Sequence, residues 1–79
     1  MLVLKDVLTD MAKAIVENPD GVSVTETEAE NGDVLLTLSV APDDMGKVIG
    51  RHGRIAKALR AIMKAAATSV NKQVTVEIK

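Results

Sequence analysis

The sequence has no cysteine, no phenylalanine, no tyrosine and no tryptophan, and His52 is its single histidine. Without cysteine there is neither a disulfide framework nor a thiolate metal site to support a small fold. Without aromatics the core has to be built from Ala, Val, Leu, Ile and Met alone. A lone histidine cannot supply a catalytic pair or a histidine metal cluster, so no cofactor and no metal are expected. No apolar run approaches the roughly 20 residues of a membrane span. The opening Met1-Leu2-Val3-Leu4-Lys5 passes at once into charged residues, which does not suit a signal-peptide core. These absences lead to the expectation of a soluble, cytoplasmic protein that has no part in the membrane and carries no small-molecule substrate.

What is present is strongly polarised. The 79 residues carry a formal net charge of −1, but that figure hides two opposed halves. Residues 1–44 hold ten acidic side chains against two basic ones, a balance of −8; residues 45–79 hold eight basic against one acidic, a balance of +7. Such asymmetry points to a polyanionic partner more than the overall charge does. The length is that of one small domain spanning 1–79, near the lower limit at which a single core suffices.

Periodicity divides the chain into six elements. Leu4, Val7, Leu8, Met11 and Ile15 recur at helical spacing, and Asn18-Pro19-Asp20-Gly21 stops that helix. Val22 and Val24 alternate with Ser23 and Thr25 as a half-buried strand. Asn31-Gly32 marks a hairpin turn within the polar stretch from Glu28 to Asp33. The second strand sets Val34, Leu36, Leu38 and Val40 on one face, with Leu35, Thr37 and Ser39 on the other. Ala41-Pro42-Asp43-Asp44 then opens a short helix expected to hold only Asp43 to Ile49. A second helical pattern runs from Arg54 to about Ser69. In it Ile55, Ala58, Leu59, Ile62, Met63 and Ala66 form the expected inward stripe, with Lys57, Arg60 and Lys64 opposite. Val74, Val76 and Ile78 alternate as a last strand. The order α-β-β-α-α-β is that of an α+β sandwich, a three-stranded sheet with helices packed on one face.

Between the two later helices stands Val48-Ile49-Gly50-Arg51-His52-Gly53-Arg54-Ile55. Gly50 and Gly53 can bring bare backbone close to a ligand and can take positive φ. A helix starting beyond them would add N–H groups and the positive end of its dipole, and Arg51 and Arg54 add full charges, so the stretch reads as a seat for phosphates. Arg51 and His52 project from the tip. Lys47, Arg54 and Lys57 flank it as backbone contacts, whereas Arg60 and Lys64 read as a solvated face that steers a polyanion from a distance. Val48, Ile49 and Ile55 read as ordinary core packing, as the apolar floor of a groove whose far wall is the strand from Leu36 to Val40, or as both.

This octapeptide resembles the VIGxxGxxI core of KH domains, which bind single-stranded nucleic acid through a GxxG loop joining two helices. One helix and two strands before the loop, with one helix and one strand after it, resemble the type II arrangement. Together with Ala41-Pro42-Asp43-Asp44-Met45-Gly46-Lys47 before it and Ile55-Ala56-Lys57-Ala58-Leu59-Arg60 after it, the whole chain resembles the stand-alone bacterial KhpA (YlqC-like) family. The resemblance implies a cytoplasmic single-stranded RNA-binding protein, an RNA chaperone or post-transcriptional regulator. It further implies a homodimer, a larger KH-containing partner of the KhpB (EloR/Jag) type, and a link to cell shape and envelope homeostasis. Its implied RNA-contacting residues are Lys47, Ile49, Gly50, Arg51, His52, Gly53, Arg54 and Lys57. With no aromatic to stack bases, affinity is expected to be modest and sequence preference small.

An enzyme is the weaker alternative. Gly46-Lys47-Val48-Ile49-Gly50 lacks the Lys-Ser/Thr that must follow the last glycine of a P-loop, and Val48 occupies a required glycine of the dinucleotide fingerprint. The other alternative is a KH-fold interaction module, dimerising with little RNA binding of its own. Ala65-Ala66-Ala67 and Leu35 are the candidate contact residues for it.

Overall fold

The computed structural model describes residues 3–79, with Arg51 described by its backbone alone. Helix α1 spans Leu4–Ile15 and buries Leu4, Leu8 and Ala12 at successive i+4 positions. It ends before Pro19, whose ring disfavours helical backbone at the preceding residue; Asn18 accordingly sits at φ −116°, ψ 74°. A short 3-10 turn, Pro19–Gly21, redirects the chain. Strands β1 (Ser23–Glu28) and β2 (Val34–Ser39) then pair antiparallel from Ser23↔Ser39 to Glu28↔Val34. The turn between them is closed by Ala29 N–H donating to the Asp33 carbonyl at 2.8 Å. Gly32 takes φ 91° within it, so the Asn-Gly signal falls at the reversal as expected. β1 runs three residues beyond the apolar alternation, and only Val24 of its six residues is buried.

Helix α2 spans Pro42–Ser69, and strand β3 (Val74–Ile78) returns parallel to β2, from Val34↔Val74 to Leu38↔Ile78. Parallel neighbours need a long crossover, and α2 is that crossover. The sheet order is β1-β2-β3, which puts β2 in the centre and leaves β1 and β3 as edges. Both helices cover one face, giving the expected α+β sandwich. Leu8, Leu36, Leu38, Met63 and Val48 are the largest fully enclosed apolar side chains among the described residues. Each contributes about 1.5–3 kcal/mol by leaving water, and Met63 conforms to the gaps that branched neighbours leave.

Two expectations are corrected by the structure. The chain from Pro42 to Ser69 is one helical element, not a short helix, a loop and a second helix. Its second arm is also turned from the expected stripe: Ala56, Leu59, Met63 and Ala67 are buried, whereas Ala58 is exposed and Ile62 is 48% exposed. Ala56 and Ala67 face inward, Ala67 in the same core cluster as Leu59 and Met63. Apolar spacing alone cannot distinguish that rotation from one that faces Ile62 inward.

Gly21 is required by proximity. A Cβ there would stand 2.9 Å from the Ala41 Cβ and 3.1 Å from the Ala41 nitrogen, so one of two backbone segments would have to move. Gly21→Ala should therefore destabilise the fold by about 1–3 kcal/mol, the usual cost of overpacking. Denaturant unfolding checks this; a midpoint equal to that of the parent protein would show that the two segments part without cost.

Candidate nucleic-acid interface

The first arm of α2 is set by one carboxylate. Ala41 precedes the helix, Pro42 occupies its first turn and Asp43 and Asp44 follow. Asp44 is only 1% exposed. Its Oδ1 accepts Glu17 N–H at 3.1 Å, and its Oδ2 accepts Asn18 N–H and Asn18 Nδ2–H, each at 3.1 Å. The chain leaving α1 is thereby fastened to the start of α2. Burial by itself pushes the Asp44 carboxyl upward, but these three hydrogen bonds together with the nearby Lys47 charge outweigh it. The group is held below the usual carboxylate range.

From this anchored start the arm runs to the glycine pair. His52 (φ 64°) and Gly53 (φ 67°) both lie in the left-handed region, and they turn α2 between its two arms. Gly50 does not take positive φ. A left-handed step at a residue other than glycine is uncommon, and histidine is among the side chains that tolerate it. Because the turn is made inside one helical element, the separate helix start expected at Arg54 is not present as such. A Cβ added at Gly50 or Gly53 would meet no heavy atom within 4 Å. Packing therefore requires neither glycine, and φ requires only Gly53. The space in front of Gly50 is open.

His52 and Arg54 are exposed, as is Lys57 one turn further on, and among the described residues no carboxylate lies within ion-pair distance of them. Lys47 is exposed and holds Glu17 at 3.2 Å, a solvent-exposed pair of at most about 1 kcal/mol that a phosphate can replace. The Arg51 side chain lies outside the described residues. Ile49 is 48% exposed beside the glycines, whereas Val48 is 1% exposed and belongs to the core; Ile55 is half-buried. Of the expected apolar floor, Ile49 and Ile55 can be touched from outside and Val48 cannot.

The expected far wall is also corrected. β2 is the central strand, with its main chain paired to β1 and β3, so the open strand edge on the α2 side belongs to β3. There Arg60, read from the sequence as part of a solvated face, donates its Nε–H to the Val76 carbonyl at 3.2 Å. Nothing in an apolar or charge pattern marks that bond.

Comparison with known proteins decides the family. A family model described as KhpA/KhpB, KH domain, matches residues 5–78. The chain belongs to the KhpA/KhpB KH-domain family. It is 53% identical over 75 residues to "RNA-binding protein KhpA" of Clostridium acetobutylicum, covering 95% of this chain and 99% of that one. A protein of the same name from Clostridium perfringens is 49% identical over 75 residues, with 95% and 99% coverage. That of Aquifex aeolicus is 47% identical over 78 residues, with 99% and 98% coverage. Membership covers the resemblance carried by Val48 to Ile55, and the α-β-β-α-β order with a bent α2 agrees with a type II KH fold. Among the described residues, no group of potential metal ligands gathers in this KhpA/KhpB domain, and no helix is long and apolar enough to cross a membrane.

A carboxyl whose folded-state pKa is depressed gives stability that is present above its unfolded value and disappears as the pH falls through its folded value. Asp44→Asn should therefore lower the melting temperature at pH 7. The amide nitrogen of the variant faces N–H donors where an acceptor is needed. The gap between parent and variant should narrow as the pH drops below about 4, near the unfolded carboxyl pKa. Thermal melts from pH 7 to pH 2 measure it, and a gap that stays constant over that interval would remove the charge from the account.

Proposed function

We propose that this protein binds single-stranded RNA at the α2 corner, as a binding protein and not as an enzyme. The strand's sugar-phosphate backbone passes over Gly50 and Gly53, and Arg51, His52, Lys47, Arg54 and Lys57 neutralise its phosphates while Ile49 meets a base. The observation that carries this reading is the empty space in front of Gly50. That residue is freed of a side chain where neither packing nor φ demands it, beside exposed cations, in a family whose members are named RNA-binding. Lacking aromatic stacking, the isolated domain binds with modest affinity and a sequence preference no larger than one bidentate contact supplies. Each phosphate contact releases counterions, so binding weakens steeply with salt.

From the resemblance the proposal extends to an RNA chaperone or post-transcriptional regulator in the cytoplasm. It serves cell shape and envelope homeostasis with a larger KH-containing partner of the KhpB (EloR/Jag) type. Replacing both Arg51 and His52 with Asp should cut affinity for an unstructured RNA octamer at least about tenfold, since two attractive contacts become repulsive. The melting temperature should stay near that of the parent, because His52 is exposed and aspartate tolerates its left-handed backbone as histidine does. Fluorescence anisotropy with a labelled octamer measures the affinity; unchanged binding by the folded variant would move the RNA elsewhere.

Self-association is the second reading, and a groove between the helices supports it. Met11, Ala14, Ile15, Ile55, Ala58, Leu59 and Ile62 line an apolar depression of about 310 Å³. Ile15 and Ile62 remain 38% and 48% exposed at its rim. The occupant proposed is a second copy of this chain. Ile62 stands as a ridge beside the hollow left by Ala58, so a two-fold arrangement lets each Ile62 enter the other's hollow, the self-complementarity an isologous contact requires. Ile62→Asp should convert a dimer into a folded monomer in light scattering after size exclusion. A parent protein that is monomeric at all concentrations, or a variant that stays dimeric, would exclude this face.

A further inference from the structure

Two main-chain hydrogen bonds fix which way β3 faces. Val34 N–H donates to the Gln73 carbonyl at 2.8 Å and Lys79 N–H donates to the Leu38 carbonyl at 2.9 Å. Along a parallel ladder the direction alternates residue by residue, so Thr75 and Glu77 turn their backbone groups to β2. Val74, Val76 and Ile78 turn theirs to the open edge. At that edge the Arg60 Nε–H meets the Val76 carbonyl at 3.2 Å. Arg60 thus spans the seam between the second arm of α2 and the edge strand. A guanidinium carries five N–H donors, and the bond to Val76 uses the one on Nε, leaving the terminal pair. No carboxylate among the described residues comes within ion-pair distance of it. One turn further along the seam lies a cleft of about 460 Å³ lined by Lys64, Ala67, Thr68, Lys72, Gln73 and Val74, roomy enough for a nucleobase; of its two ammonium groups, that of Lys72 lies 3.8 Å from the Glu28 carboxylate.

We infer that Arg60 is a specificity-determining residue of the RNA site: fixed through Nε to the Val76 carbonyl, it offers its two terminal nitrogens to a base lodged along the seam and favours guanine or cytosine. The chemistry follows from acceptor spacing. Guanine presents O6 and N7 as adjacent acceptors, the partners of a bidentate arginine. Cytosine presents O2 and N3 side by side. Adenine and uracil interrupt their acceptors with an N–H, so two parallel donors cannot both be satisfied. The bond to Val76 matters because it removes most of the torsional freedom of a long side chain before the base arrives. A lysine at this position would keep the charge but lose the fork. The seam is continuous with the corner through Lys57, one turn before Arg60, so a strand whose backbone lies on the glycines can place a later base there.

The inference rests on the RNA-binding reading, and the test separates the two. The full chain is titrated with octamers of cytidine, uridine and adenosine and with an alternating uridine-guanosine octamer, at fixed salt, for the parent and for Arg60→Lys. The parent should bind the cytidine or the uridine-guanosine octamer about 5–10-fold more tightly than the adenosine and uridine octamers, the lower end of what one bidentate pair discriminates. In Arg60→Lys that ratio should fall to near one. As a readout independent of any substitution, the Arg60 Nε–Hε resonance of the parent should shift more on adding the preferred octamer than on adding the adenosine octamer. Equal ratios in the two proteins, or a parent that ranks the octamers equally, would overturn the role of Arg60 while leaving RNA binding intact. A parent that binds none of them would overturn the RNA reading and this inference with it.

Discussion

The buried Asp44 carboxylate is the interaction on which the geometry of the candidate site depends. A charge with 1% exposure is tolerated here only because three N–H donors from residues 17 and 18 are aimed at it. In return it joins two segments far apart in sequence, the exit of α1 and the entrance of α2. The direction of the first arm, and hence the place where Gly50 and Gly53 emerge, follows from that junction. The same junction puts Glu17 within reach of Lys47, so one of the site's cations is already held at the surface before any ligand is present.

The rest of the site is placed by what the core lacks. With only aliphatic side chains available, the second arm packs inward through Leu59, Met63 and Ala67. This orientation has two results. It brings Arg60 to the β3 edge, and it turns Ala58 and Ile62 outward beside Ile15. The polar seam and the apolar groove are therefore opposite flanks of one helix, set by a single rotation about its axis.

Much of this was legible in the sequence because several local signals agreed. The alternation of Val34, Leu36, Leu38 and Val40, the Asn31-Gly32 turn, the stop at Pro19 and the Gly50–Gly53 spacing each point to the element found. What was not legible depends on contacts between elements. Periodicity gave the existence of the second arm but not its rotation, because alanine and isoleucine both count as apolar and only packing against the sheet decides between them. The paired glycines marked the corner, but the left-handed step fell on His52 and Gly53, not on both glycines. That choice depends on how the two arms are held, which no octapeptide contains. Strand order was likewise hidden. The sequence offers three strands without saying that the second is central, and the expected wall at Leu36 to Val40 had to give way to β3. Asp44 looked like a helix-start carboxylate; its bonds to Glu17 and Asn18 are tertiary and have no local signature.

Strand β1 has a bearing on how large any assembly can become. Its outer edge is free, and five of its six residues are exposed, Glu26 and Glu28 among them. A naked strand edge is ordinarily an invitation to unlimited head-to-head sheet growth, and acidic side chains along it make each newcomer bring like charge against like. On the β1 side, sheet growth between copies is thereby discouraged.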